Sequence, residues 1–167
     1  MKKKIVLTAA SLALLAGCAS FGNSSQRSQH VQIDEGPLSL GSENGAAGLR
    51  PLQEASLPSG ECGMILWTLE GARPSAIFRF ISGKQAEMNV LGRPVSFERV
   101  DYDGAGDFGV YEQQLFRSDD GLEVEIASRF GLGFNGGAYL ERGLIKLRDN
   151  DGWSIVAPAA GIAGCRS

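Results

Sequence analysis

The chain has 167 residues, 43% of them hydrophobic and 21% charged, and a formal charge of −3. That length suits one domain with a tail, and a net-acidic chain gains nothing from a phosphate backbone, which argues against nucleic acid as a partner. One histidine and three cysteines leave little with which to build a zinc site or a nucleophile–base pair.

Lys2, Lys3 and Lys4 open the chain, an apolar run follows from Ile5 to Ala16, and it closes on Leu15-Ala16-Gly17-Cys18. A basic start followed by a short apolar segment is the layout of a secretory signal, and the run is too short for a permanent membrane-spanning helix. The Leu-Ala-Gly-Cys step resembles the lipobox of bacterial lipoproteins. That resemblance implies that residues 1–17 are removed as a signal peptide and that Cys18 becomes the N-terminus, its thiol carrying a diacyl, palmitate-type anchor. The leader holds three of the 16 basic residues, so the mature chain has 13 against 19 acidic ones, a formal charge of −6. Ala19 and Ser20 follow the cysteine. In such lipoproteins an aspartate directly after the cysteine favours retention in the inner membrane, so its absence implies an outer-membrane anchor. The periplasmic side is favoured over the cell surface.

From Ala19 to about Leu57 the chain is rich in Ser, Gly, Gln, Asn and Ala, with Phe21 as its one aromatic residue and His30 as the chain's one histidine. A stretch without an apolar period cannot offset its own ordering entropy. Residues 18–58 are therefore expected to form the lipidated cysteine plus a flexible tether, and residues 59–167 the globular domain.

Within that domain short apolar runs alternate with glycine and aspartate turns. The expected strands are Met64–Leu69, Ser75–Ser82, Ala86–Leu91, Pro94–Tyr102, Val110–Arg117, Leu122–Phe130, Ala138–Arg148 and Trp153–Pro158. In Leu122–Phe130, Leu122, Val124, Ile126, Ser128 and Phe130 share one face and Glu123, Glu125 and Arg129 the other, the period of a half-buried strand. Ser118-Asp-Asp-Gly121 and Asp149-Asn-Asp-Gly152 supply hairpin turns, as does Gly92-Arg93-Pro94. No window shows a helical period. The expected fold is all-β, a small antiparallel meander of about eight strands. It is either a closed barrel or a two-layer sandwich, and closure is favoured because it protects the sheet edges.

With Cys18 given to lipid, Cys62 and Cys165 remain in an oxidising compartment, one at the opening of the first strand and the other after the last. Their wide spacing is unlike the Cys-x-x-Cys of redox sites, so a structural disulfide is expected. It would join the two ends of a sheet that closes on itself.

Other motifs have plainer readings. Asp101–Glu112 places Asp at positions 1, 3 and 7, Gly at 6 and Glu at 12 of a calcium-type loop, but Ala105 offers no ligand and the flanks are strands. Gly131-Leu-Gly133-Phe-Asn-Gly136 has dinucleotide-motif spacing but precedes another strand instead of a helix, and is expected to be a hairpin loop. Paired carboxylates, Asp119 with Asp120 and Glu123 with Glu125, lie in a turn and on an outward face. Trp67 and Trp153, in the first and last strands, are expected to be core residues close to one another. The expectation is no metal, no cofactor and no enzymatic activity.

These features imply a lipid-anchored envelope protein whose β domain binds or scaffolds another envelope protein. The alternative is an inhibitor. A small anchored barrel with one disulfide resembles the membrane-bound inhibitors of c-type lysozyme, which plug a basic enzyme's cleft with a loop carrying Ser-Gly-x-x-Tyr. Here Asn135-Gly136-Gly137-Ala138-Tyr139 keeps the Gly and Tyr spacing, with Asn in place of Ser. The family's downstream Lys-Gly element is replaced by Arg142-Gly143. Asn135, Gly136, Gly137 and Tyr139 thus form the candidate partner-binding loop.

Overall fold

A computed structural model of the protein describes residue 40, residues 48–70 and residues 73–167. The leader, Cys18 and His30 lie outside the described residues. Among the described residues nine strands carry the fold: β1 (Leu49–Arg50), β2 (Cys62–Thr68), β3 (Ala76–Ile81), β4 (Ala86–Val90), β5 (Arg93–Asp107), β6 (Val110–Arg117), β7 (Glu123–Phe134), β8 (Gly137–Arg148) and β9 (Ser154–Cys165). Each strand from β2 to β9 pairs antiparallel with the next, and β9 returns to pair with β2 over seven residues, from Cys62↔Cys165 to Thr68↔Ala159. The sheet is therefore a closed eight-stranded barrel, and β1 is an extra strand on β4.

The alternation of side chains sorts the wall. Inward positions hold Met64 and Leu66 of β2, Phe78 and Phe80 of β3, Met88 of β4, Phe97 of β5, Phe116 of β6, Val124 and Ile126 of β7, Ile145 and Leu147 of β8, and Ala157, Ala159 and Ala163 of β9, all buried. Phe116 sits between Phe78 and Phe80, with both ring centroids 5.2 Å away in edge-on packing. An eight-stranded barrel is only wide enough for its side chains to fill it. Small alanines on β9 and large aromatics on β3 and β6 belong to one buried cluster, so the interior is a packed core. Charges stand on the outer wall, Glu98 on β5 and Glu125 on β7 among them. Membrane-spanning barrels carry the opposite polarity, apolar outside and polar within.

One end of the barrel carries the disulfide. Cys62 and Cys165 are bonded and occupy directly paired positions on β2 and β9, as their places in the sequence imply. At the same end the β5–β6 hairpin turns through Phe108 and Gly109, with φ of 54° and 73°. The hairpin folds back over the barrel mouth. A Cβ at Gly109 would fall onto the Ser82 side chain in the β3–β4 turn, and Val110 is buried while Phe108 packs on the core. At the opposite end the Ser118–Gly121 and Asp149–Gly152 turns form as expected, closed by hydrogen bonds from Gly121 N to Ser118 O and from Gly152 N to Asp149 O.

Three sequence expectations need correction. Residues 48–58, assigned to a flexible tether, are packed on the barrel. Leu49 pairs with Val90, Leu52 N donates to Ala76 O, and the buried Leu57 covers Ile65 and Ala76 on the outer wall. Leu40, also within the expected tether, is fully buried, and its N–H donates to the Asp149 carboxylate at 2.8 Å. Four leucines spread over eighteen positions make no period, yet Leu40, Leu49 and Leu57 are buried against the barrel. The tryptophans are not in the interior: Trp67 is half-buried beneath the 48–58 strap and Trp153 is 48% exposed. Both stand outside because the inward register of β2 falls on Met64 and Leu66, while Trp153 precedes β9.

Candidate functional site

The candidate loop is shorter than its sequence suggests. Asn135 and Gly136 form a two-residue turn between β7 and β8, and Gly137 and Tyr139 already belong to β8. Gly136 O accepts a hydrogen bond from Cys165 N at 2.9 Å, which ties the turn to the end of β9 beside the disulfide. Tyr139 is neither a loop-tip residue nor a core one. It faces outward on β8, 52% exposed, with its ring 5.2 Å from that of Phe134 across the hairpin. Gly131 and Gly133 are likewise part of β7, so the dinucleotide-like spacing falls on a β-hairpin and not at the start of a helix.

Tyr139 belongs to a wider apolar surface. It pairs with Ile162 on β9, and Ile162 pairs in turn with Ile65 on β2. The outward positions of β9, from Val156 through Pro158, Ala160 and Ile162 to Gly164, contain no charge. Next to them Trp67 lies opposite Ala160. At the disulfide end this surface deepens into a groove of about 270 Å³ between the strap at Ala55–Leu57, the β2–β9 seam and Phe134. Arg166 holds the strap edge in place, donating through Nη1 to Leu57 O at 2.7 Å. The groove thus has two fixed walls, one stapled by the disulfide and one by an arginine, and one aromatic wall on the hairpin.

The groove's lining is mainly apolar. Ser56 lies in it with its Oγ donating to Glu54 at 2.8 Å and accepting from Arg166 at 3.3 Å, and Cys165 is held in the disulfide. The opposite side of the barrel carries an open acidic hollow lined by Asp101, Asp103, Glu123 and Glu125. Of these, Asp101 and Asp103 each accept from the next residue's N–H, as Asp107 does further along β5, and Glu123 takes ion pairs from both Arg117 and Arg148. Among the described residues no three His, Cys, Asp or Glu side chains stand close enough to hold a metal ion. Asp119 and Asp120 lie in the exposed β6–β7 turn, as their turn chemistry implies.

Sequence reasoning found the hairpin but missed Phe134, Ile65 and Ile162. One signal was present. A strand that alternates polar outward residues is half-buried, whereas β9 offers apolar residues on both faces, the pattern of a strand covered on both sides.

Comparison of the chain with protein-family models, with curated proteins and with solved structures finds no match. The fold and its surfaces are therefore the basis for a functional reading.

Proposed function

We propose that this is a lipid-anchored protein of the bacterial envelope, attached to the outer membrane through Cys18, whose barrel is a non-enzymatic binding domain for another envelope protein. The observation that carries the reading is the uncharged outer wall of β9 with its groove at the disulfide end. The interior is filled by side chains, so a ligand has to be met by the outside. An apolar core with aromatic anchors, here Trp67, Phe134 and Tyr139, and a polar surround is the usual anatomy of a protein interface. Anchoring rests on the basic leader and the Leu-Ala-Gly-Cys step.

A photo-crosslinking residue at Phe134 should capture an envelope protein in intact cells, whereas the same residue at Ser96 on the far wall should not. Equal capture at both positions would remove the groove from the proposal. Cys18→Ser should abolish fatty-acid labelling and leave the signal uncleaved or the protein mislocalised, and unchanged labelling would end the lipoprotein reading.

A second reading, inhibition of a c-type lysozyme, keeps one supporting observation, the exposed Tyr139 packed on Phe134 beside the β7–β8 turn. Against it stands the two-residue length of that turn, which gives little reach into an enzyme cleft. Stoichiometric inhibition of such a lysozyme, weakened by salt as an acidic–basic pair would be, would favour it over the scaffold.

A further inference from the structure

Arg99 is the one arginine of the barrel that continues an inward-facing row. Val95, Phe97 and Arg99 follow one another along β5, and the strand then bulges between Arg99 and Asp101. The guanidinium ends at the barrel mouth beneath the β5–β6 hairpin. Its carbon lies 4.9 Å from the centroid of Phe80, 4.7 Å from Tyr102 and 5.4 Å from Tyr111. Tyr102 and Tyr111 stack on each other at 4.2 Å. Nη1 donates to Gly109 O at 2.7 Å and to Gln114 Oε1 at 2.9 Å.

Two features of this arrangement are costly unless they serve something. Gln114 is 2% exposed, and the best partner of its amide nitrogen is the Met64 sulfur at 3.6 Å. A buried amide with so weak a donor partner is destabilising, yet its oxygen fixes Arg99. In addition, Arg99 has no carboxylate within ion-pair distance among the described residues. Both hydrogens of Nη1 are used, while the hydrogens on Nε and Nη2 have no protein acceptor and are not sealed from solvent. Nε and Nη2 form the edge of the fork that takes a carboxylate with two parallel hydrogen bonds.

Arg99 also lines a cavity of about 410 Å³ between the β3–β4 turn and β5, together with Phe80, Gly83, Lys84, Gln85 and Glu98. Lys84 is already paired with Glu61 at 2.7 Å. With that pair set aside, the lining carries the Arg99 guanidinium and the Glu98 carboxylate, one charge of each sign. A singly charged planar anion suits the two-donor edge of Arg99 and adds the least negative charge beside Glu98. A dianionic phosphate would place a second negative charge facing Glu98.

The geometry points to a carboxylate-binding site at Arg99, placed at the disulfide end of the barrel and distinct from the apolar groove on the β9 wall. The three rings and Gln114 hold the guanidinium in position before any ligand arrives, so little ordering entropy is lost on binding. The carboxylate can come from a free small acid or from the C-terminus of a peptide.

The test is titration of the purified full chain at constant ionic strength, following the Arg99 Nε–H resonance and the backbone amides of Gly83 and Lys84 by NMR. The probes are acetate, N-acetyl-alanyl-alanine, its C-terminal amide, and inorganic phosphate. The free dipeptide is expected to shift the three resonances saturably, while its amide leaves them in place. Binding of acetate as strong as that of the dipeptide assigns the site to small acids, and preference for the dipeptide assigns it to peptide C-termini. Either supports the site. Arg99→Lys, which keeps the charge but loses the fork, should weaken binding by about tenfold or more, the scale of a charge-assisted hydrogen bond. If that variant fails to fold, the comparison of carboxylate with amide on the native chain still decides. Equal response to acid and amide, no response to either, or tighter binding of phosphate would overturn the assignment.

Discussion

Tyr139 and Phe116 are both aromatic residues in barrel strands, and the face each occupies gives its loss opposite consequences. Phe116 is fully buried between two other rings. Phe116→Ala should lower stability by about 3–5 kcal/mol in urea denaturation, the usual range for emptying an aromatic site in a core. Tyr139→Ala removes an exposed ring whose main contact is Phe134, so the same measurement should show about 1 kcal/mol or less. Its effect should instead be loss of partner capture at the groove. A large destabilisation by Tyr139→Ala would mean that its outer face is structurally covered. Gly161 makes a related point about the seam. A Cβ there would fall onto the Ile65 carbonyl oxygen and the Leu66 side chain, where β9 meets β2. Gly161→Ala is expected to destabilise the barrel by about 1–3 kcal/mol, as overpacking does, and a neutral result in thermal melting would show that the seam can open to admit a methyl group.

At the level of elements, the eight barrel strands were legible because β-branched and aromatic residues alternate between turn residues of plain type. Val110–Arg117 is found with its sequence boundaries unchanged, and Gly137–Arg148 starts one residue early. Other segments are strands only through their neighbours. The far half of β5, Asp103-Gly-Ala-Gly-Asp107, has loop composition, and only its ladder with β6 makes it a strand. The end of β9, Ala159–Cys165, reads as a glycine–alanine linker, but small residues are what two close neighbours, β2 and β8, permit. β1 has two residues and gains its identity from β4 alone. The groove was legible only in its hairpin, since its other walls come from the 48–58 strap and from the meeting of first and last strands. The β5–β6 hairpin also bears on calcium. Its aspartates cap their own backbone and spread along a ladder, so the melting temperature should be the same in millimolar calcium as in chelator. A ligand selective for the folded state would raise it, and a rise of several degrees that disappears in Asp101→Ala would restore the calcium loop.

For the whole molecule the decisive feature is where the covalent cross-link falls. The strap leads into Cys62, the tail Arg166–Ser167 leaves from Cys165, and the two residues are bonded at the seam. Tension applied between the N-terminal side and the C-terminus therefore passes from strap to tail through one sulfur–sulfur bond and never enters the strands between. In a single-molecule pulling experiment the oxidised protein should lengthen only by the strap and whatever precedes it. Reduction should release the 103-residue separation between the cysteines, an added extension of roughly 350 Å at about 3.4 Å per residue. The same added length in the oxidised protein would mean that the bond is not in the path of the load. The bond acts as a strain relief, with the barrel hanging beside the line of force like a loop tied off at its neck.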